Sequence, residues 1–189
     1  MALILNGAFT MKTKSVNPAK FDRLRRADMV DYRTNKENYY LDIADSVSAR
    51  STCLRRRYGA IIVSNDEIIS TGYNGAPRGR KNCTDICRCT RETLKIPSGE
   101  RYELCRSVHA EANAIISASR RDMLDATLYL CGRDAASGEL LSDATCCSMC
   151  RRLIINSGIA RVVARVGKDE VKETLVRDWI LFDDTARMN

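Results

Sequence analysis

The placing of nine cysteines and one histidine restricts this chain more than any other feature of its sequence. Cys83, Cys87, Cys89 and Cys105 crowd one stretch, and Cys146, Cys147 and Cys150 another, while Cys53 and Cys131 stand apart. Residues 1–5 have no basic flank and too short an apolar run for a secretion signal. No window reaches the roughly 18 uninterrupted apolar residues of a membrane span. A soluble, cytoplasmic protein is therefore expected, and bunched thiols in a reducing compartment point to metal or catalysis rather than disulfides. At 189 residues and 44% hydrophobic, the chain is long enough for one core without staples and too apolar for a disordered or collagen-like polymer.

Residues 1–33 show little periodicity and several cations (Lys12, Lys14, Lys20, Arg23, Arg25, Arg26), so they read as a loosely attached N-terminal arm. The folded domain is expected over residues 34–189. A helix begins near Thr34, with Tyr40, Ile43, Ala44 and Val47 on one apolar stripe. The β-branched run at 58–64, the Asn65-Asp66 turn and the run at 67–73 predict a hairpin. The irregular stretch from 74 to 106 holds four of the cysteines; so long a loop in a small domain is usually functional or stapled by metal. A helix over 109–121, a strand over 126–131, a helix over 147–157, a strand over 159–166 and a last helix over 168–182 follow. The last helix would place Val171, Leu175 and Trp179 on one face. Strands alternating with helices imply a layered α/β domain.

His109-Ala110-Glu111 opens one of these helices and Cys147-Ser148-Met149-Cys150 another. Two thiolates three residues apart at a helix start face one point, and an imidazole from a neighbouring helix makes a third ligand. Three protein ligands leave the fourth tetrahedral position of a zinc ion open, the arrangement of catalytic sites. Glu111, two residues from His109, stands close enough to exchange protons with a water there without being a ligand. The pattern H-x-E followed by P-C-x-x-C is the signature of zinc-dependent deaminases, matched here in all but the proline.

The chain resembles the cytidine and deoxycytidylate deaminase superfamily, and within it most closely the deoxycytidylate (dCMP) branch. The resemblance runs from about Tyr39 to Trp179. It is carried by R-S-T-C at 50–53, Y-G-A-I-I-V at 58–63, S-T-G-Y-N-G-A-P-R-G at 70–79, S-V-H-A-E-A-N-A-I at 107–115 and C-S-M-C at 147–150. One position departs from the family: Cys146 stands where a proline usually precedes the first thiolate. The resemblance implies a three-layer α/β/α fold around a mixed sheet of about five strands. It also implies hydrolytic deamination of dCMP to dUMP, in supply of thymidylate synthesis. Zinc-bound hydroxide would attack cytosine C4, and Glu111 would shuttle protons to N3 and to the departing amine. Asn74 inherits a sugar contact, and the backbone of Ala110 a contact to the base. Such enzymes tend to be homo-oligomers, often hexamers, and some respond to dCTP and dTTP.

The loop cysteines suggest a second, structural zinc that closes the 74–106 stretch. The resemblance points to Cys53, Cys83 and Cys105 as ligands, with Cys89 the choice for the fourth and Cys87 in reserve. Between residues 74 and 106, eight Lys/Arg face four Asp/Glu, which makes Arg78, Arg80 and Lys81 candidates for a 5′-phosphate. Deaminases of nucleosides, polynucleotides or guanine share the zinc motif and remain alternatives. The net charge of +7 also admits a zinc-knuckle module on nucleic acid. That reading ranks lower, because aromatics for base stacking are only 6% and it leaves Glu111 without a role.

Overall fold

A computed structural model describes residues 33–182 of the chain; the expected arm lies outside the described residues except for Arg33. Among the described residues the first helix, α1 (Lys36–Ser48), starts where Asn35 accepts a hydrogen bond from the Asn38 amide at 2.8 Å, relieving one of the donors a helix leaves unpaired. Strands β1 (Arg56–Ser64) and β2 (Glu67–Tyr73) form the expected hairpin. Asn65 and Asp66 both adopt positive φ, at 49° and 66°, the backbone of a type I′ turn, whose twist matches the flanking strands.

The 74–106 stretch is broken by two single turns of helix, α2 (Cys83–Ile86) and α3 (Thr90–Thr93), and a 3₁₀ turn at Tyr102–Leu104. Then come α4 (Ala110–Ile116), β3 (Thr127–Asp134), α5 (Ser148–Ser157), β4 (Arg161–Arg165), β5 (Val171–Leu175) and α6 (Val176–Leu181). The five strands make one mixed sheet in the order β2-β1-β3-β4-β5. Only the β3–β4 pair is parallel, as the intervening α5 crossover requires.

Alternation along the central strands divides the core in two. Ala60, Ile62, Leu128, Leu130, Val162 and Ala164 face the side of α4, α5 and α6. Ile61, Val63, Tyr129, Cys131 and Val163 face Leu41 and Ala44 of α1. Three-layer α/β/α architecture follows from this period of two on strands covered on both faces. Three arginines on the sheet also tie α1 down: Arg133 grips Asp45 with two bonds of 2.6 Å, Arg165 reaches Asp42 at 2.7 Å and Arg161 reaches Glu37 at 2.9 Å.

The last expected helix needs correction, since residues 171–175 form the edge strand β5, antiparallel to β4, and only Val176–Leu181 is helical. A spacing of four fits a helical stripe, but it also keeps Val171 and Leu175 on one face of a strand. Open backbone on β4, satisfied by pairing, decided between the two.

Two glycines set how closely the helices lie on the sheet. A side chain at Gly72 in β2 would collide with the backbone of Ala110 and Ala114, and one at Gly59 with the backbone of Ala44 and Ser48. Helix α4 is thus seated directly on β2, which fixes the height of its first turn above the sheet.

Candidate active site

His109 and Cys147 each occupy the residue just before a helix, with extended backbone (φ −72°, ψ 157° and φ −69°, ψ 165°). Cys150 lies three residues further, in the first turn of α5. This N-cap and third-position relation is the one that lets side chains meet in a capping box; here it brings two sulfurs together. Packing of α4 beside α5 adds the imidazole: His109 Nδ1 lies 3.4 Å from Cys147 Sγ and 3.5 Å from Cys150 Sγ. All three ligand atoms lie within 4.8 Å of one another, and no other group of three or more His, Cys, Asp or Glu among the described residues meets so closely. One nitrogen and two sulfurs at this separation suit zinc and leave room for a further ligand.

The electrostatics agree with a cation site. A hydrogen bond from Cys150 and, next, the His109 contact draw the Cys147 thiol down to about 4. Cys150, as the donor and itself buried, is pushed far up, so the two thiols share their proton. Burial works against a charged His109, yet the Cys147 bond and the Glu111 charge raise its pKa. A divalent cation among these atoms would take both sulfurs as thiolates.

Glu111 is 4% exposed and lines the same pocket as His109 and Cys147. Burial raises its carboxyl above the ordinary value, against the pull of His109. Beside it sits Cys146, 1% exposed, whose thiol hydrogen-bonds the carboxylate and is itself pushed well up by burial. The residue standing in for the usual proline therefore touches the acid.

Asn74 is buried, and its amide is largely consumed by the protein. Oδ1 accepts from Ser51 Oγ at 2.6 Å and from the Tyr58 amide at 2.7 Å, while Nδ2 donates to the Arg56 carbonyl at 2.9 Å. The second hydrogen on Nδ2 remains for a ligand, and Asn74 and Ala110 both line the pocket.

The loop thiols are less closely assembled. Cys83 is buried, and its pKa is raised by that burial and then by the charges of Cys53, Cys105 and Cys89, so the four are neighbours. They do not come within the mutual 4.8 Å that His109, Cys147 and Cys150 reach. Cys87, exposed, caps α2 in the left-handed conformation.

The cations on the pocket wall differ from those the sequence singled out. Arg55, Arg56 and Arg91 line it, while Arg78 and Arg80 belong to a separate groove with Arg50. The run of three arginines at 55–57 is the signal that would have found them: it enters β1 beside Asn74, where Arg56 pairs with Asp134 and Tyr58 with Gly132 at the carboxyl end of β3. Burial pushes the Tyr58 phenol up to about 12 despite Arg56, so it stands neutral in the wall.

Residues 34–166 match the family described as the cytidine and deoxycytidylate deaminase zinc-binding region. The deoxycytidylate deaminase of Mycobacterium phage D29 is 36% identical over 135 residues, 69% of this chain and 94% of that protein. The Schizosaccharomyces pombe deoxycytidylate deaminase is 30% identical over 146 residues, 76% of this chain but only 42% of the relative, so the chain spans less than half of that longer protein. The apo dCMP deaminase of the cyanophage S-TIM5 superposes with a TM-score of 0.50 at 24% identity, over 72% of this chain and 87% of that one; this likeness speaks to the fold. With the match of 34–166 enclosing the histidine and both thiols of the metal trio, the chain belongs to the cytidine and deoxycytidylate deaminase family.

Proposed function

We propose that the protein hydrolyses dCMP to dUMP and ammonia. The observation that carries this reading is the meeting of the His109, Cys147 and Cys150 ligand atoms beside a pocket lined by His109, Cys147, Glu111, Arg55 and Arg56. Zinc held by His109, Cys147 and Cys150 would supply a Lewis acid that makes water nucleophilic near neutral pH. Glu111 would take a proton from the attacking water and deliver it to N3, then take the hydroxyl proton of the C4 adduct and hand it to the departing amine. Its buried, raised carboxyl suits a group that must carry a proton at neutral pH. The free hydrogen of Asn74 Nδ2 meets the sugar, and the Ala110 backbone meets the base. Arg55 and Arg56 supply the positive charge that a 5′-phosphate needs and a nucleoside does not.

Paired assays decide the substrate. Ammonia release is expected from dCMP, with deoxycytidine and a cytosine-containing oligonucleotide turned over at least a hundredfold less efficiently. Equal turnover of deoxycytidine would remove the phosphate from the argument. The zinc-knuckle alternative has lost ground, because Glu111 is buried in a concave pocket rather than displayed on a stacking surface.

Three further proposals concern a second metal, assembly and regulation. A second zinc would be held by Cys53, Cys83, Cys89 and Cys105, whose charges act on one another; two zinc atoms per chain by elemental analysis support it and one removes it. A homo-oligomer, up to a hexamer, accords with the exposed apolar side chains of Ile116, Met149 and Leu153. Regulation by dCTP and dTTP accords with the Arg50, Arg78 and Arg80 groove, and a sigmoidal rate curve straightened by dCTP would test it. The compartment proposed is the cytoplasm; among the described residues no helix is long and apolar enough to cross a membrane.

A further inference from the structure

His109 turns Nδ1 toward the two sulfurs, which leaves Nε2 as its second polar atom. A metal-bound imidazole ordinarily has that second nitrogen fixed by a carboxylate or carbonyl. Among the described residues Nε2 meets no such partner. The imidazole as a whole packs against Tyr102, whose ring is perpendicular to it at 89° with 5.1 Å between centroids.

Tyr102 is in turn held by an unusual residue. Arg91 is 4% exposed, and no carboxylate among the described residues forms an ion pair with it. Its guanidinium is satisfied by main-chain oxygens: Nη1 donates to Glu100 at 2.6 Å and Arg101 at 3.1 Å, and Nη2 to Pro97 at 2.5 Å. These acceptors span the five residues immediately before Tyr102. The segment turns through positive φ at Gly99 (92°) and at Arg101 (47°), a conformation uncommon for a non-glycine residue. The same guanidinium lies 4.6 Å from the centre of the Tyr102 ring. One buried side chain thus fixes both the path of the loop and the face of the aromatic ring.

We propose that Tyr102 is a positioning residue for the His109 imidazole, and that Arg91 acts through Tyr102. Together they hold the imidazole by packing, where no hydrogen bond among the described residues orients it, and they set how firmly zinc is retained. This rests on the reading of His109, Cys147 and Cys150 as zinc ligands. A fixed ring keeps Nδ1 aimed at the metal between ligand-exchange events, so loosening it shows first as faster zinc loss.

The test measures zinc release from the full-length zinc-loaded protein to a colorimetric chelator, with a thermal melt of each variant alongside. Tyr102→Phe keeps the ring and should release zinc within about twofold of the parent rate. Tyr102→Leu keeps apolar volume without the ring edge, and Arg91→Met removes the guanidinium; each should release zinc about tenfold faster, the scale of losing an outer partner of a metal ligand. The double variant should be no faster than the faster single, because both act on one element. Parent-like release from Tyr102→Leu would overturn the proposal, as would single effects that multiply in the double variant. If Arg91→Met does not fold, the Phe and Leu variants decide alone, since neither touches the Arg91 bonds to the loop. A parent protein that takes up no zinc would instead remove the metal site beneath.

Discussion

Replacing Glu111 by Gln separates proton transfer from every other role of the site. The side chain keeps its shape, and the zinc ligands are untouched. Glutamine cannot take up or release the proton that N3 and the amine require, and a positioned general acid–base contributes about 10²–10⁴-fold. At 1.36 kcal/mol per decade, that is a barrier increase of about 3–5 kcal/mol. The structure adds a second expectation of opposite sign. Glu111 is 4% exposed and its carboxyl is raised by burial, so in zinc-stripped protein the native state binds the proton more tightly than the unfolded chain. Stability contributed by the protonated form is present at low pH and is lost as pH rises through the folded-state value. Glutamine stays neutral and escapes that loss. Zinc-stripped Glu111→Gln should therefore melt no lower than the parent at pH 7, and the difference between them should shrink toward pH 4. The assay pairs ammonia release under saturating dCMP with zinc content and melting curves at both pH values. Turnover within tenfold of the parent would refute the proton-shuttle argument. Loss of zinc would instead show that Glu111 helps to hold the metal.

Other perturbations test neighbouring links. Arg56→Ala should raise KM for dCMP tenfold or more while leaving the weak reaction of deoxycytidine unchanged; an equal effect on both would detach Arg56 from the phosphate. Gly72→Val would drive Cβ and its methyls into the backbone of Ala110 and Ala114, displacing α4, and should lower zinc content and activity together; a full complement of zinc would contradict the close seating of α4. Asp45 is held below its ordinary value, burial opposing but the Arg133 bonds prevailing. The stability it lends is present above the unfolded value near pH 4 and lost as pH falls through the folded one, so in urea titrations Asp45→Asn should lower stability at pH 7 and flatten the acid limb. Cys146→Pro restores the residue usual in the family and should keep both zinc and measurable turnover; losing both would mean that Cys147 and Cys150 are misassigned.

The parts of the fold written in local patterns were legible. The hairpin is set by apolar runs flanking Asn65-Asp66, a pair that tolerates positive φ. The layered architecture follows from alternation that buries Ile61 on one face of the sheet and Ile62 on the other. At the other extreme, residues 171–175 carry a spacing that satisfies helix and strand alike, and only pairing with β4 distinguishes them. Which arginines line the pocket was not legible for a related reason: a count of charges in a loop says nothing about which way each points.

For the site itself, the sequence determined the residue types, because H-x-E and C-x-x-C place ligands at helix starts where local geometry converges. Tertiary structure decided what no spacing encodes. Packing of α4 on Gly72 and beside α5 brings His109 to within 3.5 Å of sulfurs 38 and 41 residues away. It sets Cys146 against Glu111, and it turns Arg55 and Arg56 rather than Arg78 and Arg80 into the pocket. It also threads Arg91 beneath Tyr102. Each of these is a contact between segments distant in the chain, and its existence depends on how the layers close, which the local pattern of any one segment does not contain.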